Sequence, residues 1–349
     1  MTRGDLITVA GLAIVVVAGL VLVGQAGGPD GLPPPTTVER SIDQVRPGDG
    51  PVLGEPVGLV LAVGAIDTEI LVVDLDSGAV WPLGQRGRPE LIVDGLVIVD
   101  EGAGTWGLVD IDSGAGADLA PDALTAPITA VVPAVAGGVW LRHDEDGGGR
   151  RWSRVSINGV DAIEVVEVVT VPRGSDTVTD AAGRPLAGPE VIGSDAGVIS
   201  VLGSSGHEPV LDGSLVAVGP NTLVVAACDQ AGCANAWVDR ATLQPLDHPP
   251  LTALLGSGFL ANDTTLVVET VTNDGTNPIV KVFDVVHGTA ITTGSPSGLA
   301  RTWVSPAGRF VAVPGFDALL ITDLEARRTA TLHRLRVDAG VHVAWGRRP

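Results

Sequence analysis

Residues Ile70–Gly78 read Ile-Leu-Val-Val-Asp-Leu-Asp-Ser-Gly, a run of apolar residues that ends in an aspartate and is followed within four residues by a glycine. The same pattern returns at Trp106–Gly114 and at Val280–Gly288. Weaker copies, which lack the glycine, end at Asp239 and Asp323. Asp accepts hydrogen bonds from the backbone of a turn, and Gly takes the positive φ that closes it. The pattern predicts a recurring strand–turn–strand unit, which we call the Asp turn.

The spacing of the Asp turns predicts the architecture. Asp74 and Asp110 are 36 residues apart, and the three aspartates from Asp239 onward are separated by 45 and 39 residues. The remaining gap of 129 residues, between Asp110 and Asp239, is three times 43, as expected if it holds two copies without the marker. A four-stranded unit of about 40–45 residues is typical of a β-propeller blade. The sequence therefore predicts an all-β, seven-bladed β-propeller over residues 52–349, with six or eight blades as alternatives.

A second marker has nearly the same period. Short turns rich in Gly, Asn and Asp are predicted to join the first two strands of each blade. The turns are Asp94-Gly95, Gly137-Gly138, Asp195-Ala196-Gly197, Pro220-Asn221, Asn262-Asp263 and Ala307-Gly308. The third or fourth blade is expected to be longer than the others, with extra residues at about 160–190.

The composition agrees with an all-β fold and excludes one class of partner. Hydrophobic residues make up 45% of the chain but aromatic residues only 3%, and 47 Gly and 25 Pro supply turns and interrupt helices. The formal net charge is −20. An acidic surface repels phosphate backbones, so we expect no nucleic acid partner.

One turn carries a family resemblance. Residues Trp303–Phe310, Trp-Val-Ser-Pro-Ala-Gly-Arg-Phe, resemble the Trp-Ser-Pro-Asp-Gly turn of WD40-like and TolB-like propellers, with Ala307 in place of the Asp. The resemblance covers about residues 52–349 and implies the fold, whereas propellers host many unrelated functions. More narrowly, the chain looks like the membrane-anchored surface propellers of GC-rich bacteria.

The N-terminal segment predicts a membrane anchor. Leu6–Val23 is an apolar run of 18 residues, and an α-helix of that length spans roughly 27 Å. Arg3 precedes the run, and the positive-inside rule then places residues 1–5 in the cytoplasm. The prediction is a single-pass plasma-membrane protein with a transmembrane helix at 6–24. A cleaved secretory signal is the alternative, and both put the main domain on the extracytoplasmic side.

The segment after the anchor predicts a spacer. Residues 25–51 are rich in Gly and Pro, including Pro33-Pro34-Pro35, and hold few apolar side chains. We expect them to hold the propeller away from the lipid bilayer, which contacts residues 6–24. The propeller is expected to be monomeric.

The two cysteines predict a disulfide. Cys228 and Cys233 flank four residues between two apolar runs, Leu223–Ala227 and Ala236–Val238. This spacing places one cysteine on each strand of a hairpin, within reach of a cross-strand bond. Such a bond would stabilise by only about 2 kcal/mol because the loop is so short, and it is typical of an oxidising compartment.

One polar loop is a candidate surface site, although a solvated hairpin loop is the favoured interpretation. It lies between two predicted strands, and its charged and aromatic members are His143, Asp144, Glu145, Asp146, Arg150, Arg151 and Trp152. The residues Gly102–Gly107 match a dinucleotide fingerprint, but a strand follows where that fingerprint needs a helix.

The sequence predicts no catalytic, cofactor-binding or metal-ligating residue. No Tyr is present for a sialidase-type nucleophile, and the 6 His are scattered. Calcium binding by the acidic turns is a weak possibility. The predicted function is a scaffold that binds an envelope protein or a ligand. A metal-dependent, lactonase-like hydrolase with its site in the central channel, and a small-ligand receptor or sensor, are the alternatives.

Overall fold

The computed structural model describes residues 36–119, 127–135, 137–144, 149–160, 162–179, 184–229, 232–247, 251–252, 258–263, 265–271, 278–284, 289–294, 303–305, 308–315, 317–335 and 341–348. Residues 37–349 form one compact unit. The described residues hold 29 strands and one short 3-10 helix, Ile42–Gln44. No helix among them is long and apolar enough to cross a membrane, and the predicted transmembrane helix 6–24 lies outside them.

The strands form seven sheets, and each sheet is built around four strands in a meander. Sheet 1 joins the end of the chain to its beginning, in the order β29 (His342–Arg347), β2 (Leu59–Gly64), β3 (Glu69–Asp74) and β4 (Val80–Arg86). Sheet 2 contains β5 (Arg88–Val93), β6 (Leu96–Gly102), β7 (Thr105–Asp110) and β8 (Gly116–Asp118). Sheet 3 contains β9 (Ile128–Pro133), β10 (Val139–Asp144), β11 (Arg150–Ile157) and β12 (Ile163–Val171).

The remaining sheets repeat this plan. Sheet 4 contains β13 (Ser175–Asp176), β14 (Val191–Ser194), β15 (Val198–Gly203) and β16 (Gly206–Asp212). Sheet 5 contains β17 (Ser214–Val218), β18 (Thr222–Asp229), β19 (Gly232–Asp239) and β20 (Leu251–Thr252). Sheet 6 contains β21 (Gly258–Asn262), β22 (Thr265–Val271), β23 (Pro278–Asp284) and β24 (Thr289–Gly294). Sheet 7 contains β25 (Trp303–Val304), β26 (Phe310–Gly315), β27 (Ala318–Asp323) and β28 (Arg328–His333), with β1 (Thr36–Ser41) as a fifth strand beside β28.

The meanders give the unit two distinct faces. Because antiparallel neighbours alternate in direction, successive turns lie at opposite ends of a sheet. One end of each sheet holds the turn between the second and third strands and the connection to the next sheet. We call this end the connection face. The other end is the Asp-turn face, since it holds the turns between third and fourth strands.

The Asp turns lie where the repeat predicts them. Asp74, Asp110, Asp239 and Asp323 each end the third strand of a sheet, and the Oδ1 of each accepts a backbone N–H from the turn at 2.7–3.2 Å. Asp284 ends the third strand of sheet 6. Sheets 3 and 4, which lack the marker, fill the interval between Asp110 and Asp239. The predicted all-β fold and repeat are therefore confirmed.

One predicted turn has a different place. Asp195-Ala196-Gly197 joins β14 to β15, the second and third strands of sheet 4, rather than the first two. The physical reason is the long connection between β13 and β14, residues 177–190, which replaces the short turn in this sheet. This connection is also where extra length was predicted.

The segment predicted to be a spacer is folded from residue 36 onward. β1 pairs with β28, and Val45, Val52 and Leu53 are buried in a core cluster shared by sheets 1 and 7. The boundary predicted at residue 52 is therefore wrong. The few apolar residues of this Gly- and Pro-rich stretch suffice because each one is buried at the junction between the first and the last sheet.

Tryptophan side chains link neighbouring sheets. The Nε1 of Trp81 in sheet 1 donates to the carbonyl of Ile111 in sheet 2, at 3.0 Å. The Nε1 of Trp106 in sheet 2 donates to the carbonyl of Ile128 in sheet 3, at 2.8 Å. Each ring therefore buries apolar surface between two sheets while its polar atom keeps a partner.

Candidate functional site

In several pairs of neighbouring sheets, the first strands lie next to one another. β29 contacts β5 and β25, β5 contacts β9, and β17 contacts β21. We call the first strand of each sheet the inner strand. A polar side chain on one inner strand can thus reach residues of another sheet, far away in the sequence.

Several inner strands carry a bulge. The register shift passes over Glu90 in β5, Thr129 in β9, Val216 in β17 and Ala261 in β21. A bulge redirects its side chain out of the regular alternation. Since only β5 among these four has a charged residue there, Glu90 is a feature of this sequence rather than a requirement of the fold.

Glu90 takes part in a buried polar contact between three sheets. Its Oε1 lies 2.7 Å from Nδ1 of His342, the first residue of β29, and only 3% of His342 is exposed. The Nε2 of His342 lies 3.2 Å from Nη1 of Arg184, which belongs to the long connection of sheet 4. We call Glu90, Arg184 and His342 the inner polar cluster.

The partners define the protonation of His342. Arg has donors only, so Nε2 accepts a hydrogen bond from Arg184. Nδ1 therefore carries the proton and donates it to the Glu90 carboxylate. The imidazole is neutral in this arrangement, and the ring of Trp303 lies beside it with a centroid distance of 5.8 Å.

The connection that carries Arg184 is attached at both sides. Near its middle, Leu186 N–H donates to the carbonyl of Val178 at 2.8 Å. At its end, Oε1 of Glu190 accepts hydrogen bonds from Nε1 of Trp140, at 2.8 Å, and from the backbone of Val135, at 3.1 Å. These bonds to sheet 3 hold the described part of the connection in place.

Further polar contacts flank the cluster at the connection face. Arg88, the first residue of β5, pairs with Asp100 of β6. Gln85 of sheet 1 donates to Glu101 of sheet 2, with Nε2 and Oε1 2.6 Å apart. Arg150 of sheet 3 pairs with Asp176 of sheet 4. Two of these three contacts, like the inner polar cluster, join different sheets.

The loop singled out in the sequence is split by the structure. His143 and Trp152 are buried in sheet 3, whereas Asp144 is exposed and lies 3.4 Å from Nε of Arg142. Arg150 and Arg151 stand opposite Asp144 and His143 in the register of β10 and β11. Glu145 and Asp146 lie outside the described residues.

The cysteines occupy facing positions on a hairpin. Cys228 in β18 is the register partner of Cys233 in β19, and Asp229 pairs with Gly232 one step nearer the turn. This hairpin joins the second and third strands of sheet 5, so it lies at the connection face. Their side chains lie outside the described part of the structure.

The Asp-turn carboxylates are occupied by hydrogen bonds of the fold. Both oxygens of Asp76 accept the backbone N–H of Gly58 at 3.0 Å, and Oδ2 of Asp74 lies 3.0 Å from Nη1 of Arg348. Among the described residues, no group of three or more His, Cys, Asp and Glu is placed to hold a metal ion.

The chain resembles solved β-propellers. It is similar to TolB from Acinetobacter baumannii (14% identity, 84% of this chain and 67% of TolB covered, TM-score 0.45). It is also similar to apo AztD from Citrobacter koseri (11%, 82% and 97%, 0.47) and to virginiamycin B lyase from Staphylococcus aureus (13%, 73% and 87%, 0.43). TolB is thus among the solved structures that the chain is similar to, in agreement with the predicted TolB-like resemblance. No protein-family model and no characterised protein sequence matches the chain.

Sequence reasoning missed the inner polar cluster. His342 and Arg184 are 158 residues apart, and no local pattern joins them. The signal that was present is a charged or ionisable residue in an otherwise apolar stretch of an inner strand, as in Glu90 within Pro89–Val93 and His342 within Val341–Trp345.

Proposed function

We propose that this chain is a membrane-tethered, extracytoplasmic, seven-bladed β-propeller that serves as an interaction scaffold at the cell envelope. The seven four-stranded meanders supply the blades, and β29 closes the ring by pairing with β2. The apolar run at 6–24 supplies the anchor, with residues 1–5 in the cytoplasm.

The observation that carries the scaffold function is the difference between the two faces. At the Asp-turn face, Asp74, Asp110, Asp239 and Asp323 accept hydrogen bonds from their own turns, and the contact of Asn221 in sheet 5 with Asp263 in sheet 6 contains only one charged group. At the connection face, charged and polar side chains reach from one sheet to another, as in the inner polar cluster and in Arg150–Asp176. Loops held by a rigid scaffold often carry binding residues, and here the contacts between sheets hold the loops of the connection face, so a partner would bind at this face.

A face-specific crosslinking experiment tests this function. A photoreactive amino acid is placed at Asp67 or Ala103, which lie in turns of the connection face, and at Asp112 or Ser205 of the Asp-turn face as matched controls. All four positions are exposed. We expect one envelope component to be crosslinked in intact cells from the first two positions only. Equal crosslinking from both faces, or crosslinking from the Asp-turn face alone, contradicts the proposal.

A hydrolase remains the second candidate, and the observation that favours it is the placement of Glu90 and His342 on inner strands. A lactonase-like enzyme would hold its metal ion among such residues in the central channel. Turnover of lactones that depends on added calcium, and that is lost on chelation, would replace the scaffold function.

We further propose that Cys228 and Cys233 form a disulfide. Directly opposed residues of an antiparallel pair have Cα atoms about 4.5–5.5 Å apart, within the range for a disulfide. The two thiols would lose two electrons and two protons to a thiol–disulfide oxidant of the envelope. Mass spectrometry of protein prepared without reductant should find the linked peptide and no alkylated thiol. Full alkylation of both cysteines contradicts the bond.

A further inference from the structure

We propose that β12, the fourth strand of sheet 3, is an interaction surface that accepts an added β-strand from a partner protein, and that the partner segment alternates apolar and basic residues. β12 lies at the edge of its sheet, and no strand that the structure describes pairs with its outer side. Backbone N–H and C=O groups along such an edge can pair with an extended chain. The inference goes beyond the scaffold function, because β12 lies at the opposite edge of the sheet from the inner strand and is separate from the turns of the connection face.

The length and the apolar surface of β12 supply the first reason. Its range, Ile163–Val171, has 9 residues and contains no proline, and it is the longest fourth strand among those described. Val166 and Val168 are 50% and 46% exposed, and they are two of only four large apolar side chains that are exposed in the described part of the chain. Two such side chains on one open strand form an apolar surface beside unpaired backbone groups, which is the combination that favours addition of a strand.

The other fourth strands supply the second reason, because most of them are protected against such addition. β4 and β16 contain Pro82 and Pro209, and proline removes a backbone donor from an edge. β8 and β20 have only 3 and 2 residues, and β24 has 6, of which three are threonine. β28 is covered by β1, so an outer edge of this fold accommodates a fifth strand. β12 is the long apolar edge that lacks proline and a described cover.

The charges of β12 indicate what kind of segment fits. The strand contains Glu164 and Glu167 but no Lys, Arg or His. Glu164 is exposed, and Oε2 of Glu167 accepts a hydrogen bond from Nε of Arg154 at 3.0 Å. Opposite charges on neighbouring strands stabilise their pairing and like charges destabilise it. A second copy would bring the same carboxylates and a net charge of −20, so a basic segment of another protein is the better occupant.

A bulge limits the part of β12 that can pair regularly. The register with β11 passes over Val166, between the pairs Arg154–Glu167 and Val155–Val165. Beyond the bulge, residues 167–171 pair one by one with residues 154–150. This regular part is similar in length to β1, which has 6 residues. The added strand should therefore be short and should lie mainly beside residues 167–171.

Peptide binding to the full chain in uncharged detergent micelles tests the surface. The probe is a fluorescently labelled peptide, Val-Lys-Val-Lys-Val-Lys-Val, and fluorescence anisotropy measures its binding. Val-Val-Lys-Lys-Lys-Val-Val has the same composition and charge but lacks the alternation, and Val-Glu-Val-Glu-Val-Glu-Val has the alternation with the opposite charge. We expect only the first peptide to bind. Amide hydrogen exchange should slow at residues 163–171 when it is added, since the outward backbone groups become hydrogen-bonded.

Two variants and one matched control locate the site. Val168→Lys and Thr170→Lys each place a cation on an exposed position of β12, and each should weaken binding of the first peptide by at least about tenfold. Thr170→Lys replaces a polar residue, so it tests the edge even if Val168→Lys does not fold. Val135→Lys adds the same charge at a valine that is 60% exposed in the turn after β9, and it should bind like the parent chain. Circular dichroism and the melting temperature show which variants are folded.

Several results would overturn the inference. They are the absence of binding by the first peptide, equal binding by the peptide without alternation, and binding without protection of the β12 amides. Unchanged binding by folded Thr170→Lys would also overturn it. Tighter binding of the acidic peptide, or a dimer of the parent chain that Thr170→Lys abolishes in analytical ultracentrifugation, would replace the basic partner with another occupant. None of these results depends on crosslinking from the connection face.

Discussion

At the scale of the residue, Asp323 shows how an Asp turn is stabilised. Burial would raise the pKa of its carboxyl, but hydrogen bonds from Arg309 and from the backbone of Ala326 and Glu325 outweigh burial and hold the pKa below its usual value. The hydrogen bond to Asp323 raises the pKa of Arg309 in turn. This aspartate therefore joins its own turn to the side chain of Arg309, which immediately precedes β26.

Replacing Asp323 should destabilise the fold. Asp323→Asn keeps the size of the side chain but removes the charge that Arg309 contacts, and we expect a loss of about 2 kcal/mol in the free energy of unfolding. Urea denaturation measures this difference. Asp112→Asn is the matched control, because Asp112 is exposed at the equivalent face, and its stability should stay within about 0.5 kcal/mol of the parent. An equal loss of stability in both variants would contradict a stabilising contact between the Asp323 carboxylate and Arg309.

The Asp turns also predict how stability depends on pH. Hydrogen bonds from Ser113 lower the pKa of Asp110, those from Thr242 lower the pKa of Asp239, and the pKa of Asp323 is lowered as described. A carboxyl with a lowered pKa in the folded state contributes stability that is fully present above its unfolded pKa, about 3.9, and is lost as the pH falls through the folded value.

We therefore expect the free energy of unfolding to fall steadily below about pH 4. Urea denaturation at a series of pH values measures the slope. Asp323→Asn should show a shallower slope than the parent chain, because one of the contributing carboxyls is missing. A flat profile between about pH 5 and about pH 2 would contradict this account.

The difference between the Asp turns and the inner polar cluster shows what the sequence can predict at this scale. Asp110 and Ser113 are three residues apart, so their hydrogen bond can be predicted from a short motif. Glu90, Arg184 and His342 meet only after the sheets have packed, and nothing near any of them in the chain indicates the other two. Their contact therefore requires the three-dimensional structure.

At the scale of the element, a glycine occupies the step from one sheet to the next. Gly87 follows β4 with a φ of 145°, and a Cβ there would lie 2.4 Å from Cγ1 of Val99 and 2.9 Å from the carbonyl oxygen of Asp100. Gly213 occupies the same place between sheets 4 and 5, with a φ of 135° and a contact of 2.6 Å to Val225. At both positions the chain that leads into the inner strand lies so close to the second strand of the same sheet that only glycine fits.

Substitution at this step should be costly. Gly87→Ala combines a strained φ with a collision against backbone, and we expect a loss of roughly 3 kcal/mol. Gly84→Ala is the control, because its φ of 72° is also strained but nothing lies within 4 Å of the added Cβ. It should lose only about 1 kcal/mol, as measured by thermal denaturation. A larger loss of stability in Gly84→Ala than in Gly87→Ala would show that the contacts of Gly87 with Val99 and Asp100 are not what requires glycine there.

The strands themselves were predictable from apolar runs. β2 is buried along its whole length, and its sequence Leu-Val-Leu-Ala-Val-Gly is apolar throughout because neighbouring sheets cover both of its sides. The order of the turns was less predictable, since a turn such as Asp195–Gly197 looks the same in sequence wherever it lies in a meander. Only the long connection before it moves it to the connection face.

At the scale of the whole molecule, the folded N-terminal segment joins the first sheet to the last. Residues 45–57, which we call the clasp, bury Val45, Val52 and Leu53 between these sheets. The backbone N–H of Val52 donates to Leu75 of sheet 1 at 2.8 Å, and Arg328 of sheet 7 donates to the carbonyl of Leu53 at 3.0 Å. The clasp thus supports the closure that β29 makes.

Truncation should separate the contribution of the clasp from that of β1. A fragment of residues 58–349 loses three buried apolar side chains, worth about 1.5–3 kcal/mol each, and should melt well below a fragment of residues 36–349. A fragment of residues 42–349 lacks only β1 and should lie between the two. Circular dichroism at increasing temperature measures the melting temperature of each fragment. Equal melting temperatures for all three would contradict a stabilising role of the clasp.

The pairing of β29 with β2 has a consequence for biosynthesis. A ribosome makes residues 59–64 early, yet their partner at 342–347 is made last among the described strands. During synthesis, the first sheet must wait with one edge open while six others assemble. A truncated product that stops before His342 would keep that edge exposed, and cellular proteases would meet it as an unfinished substrate.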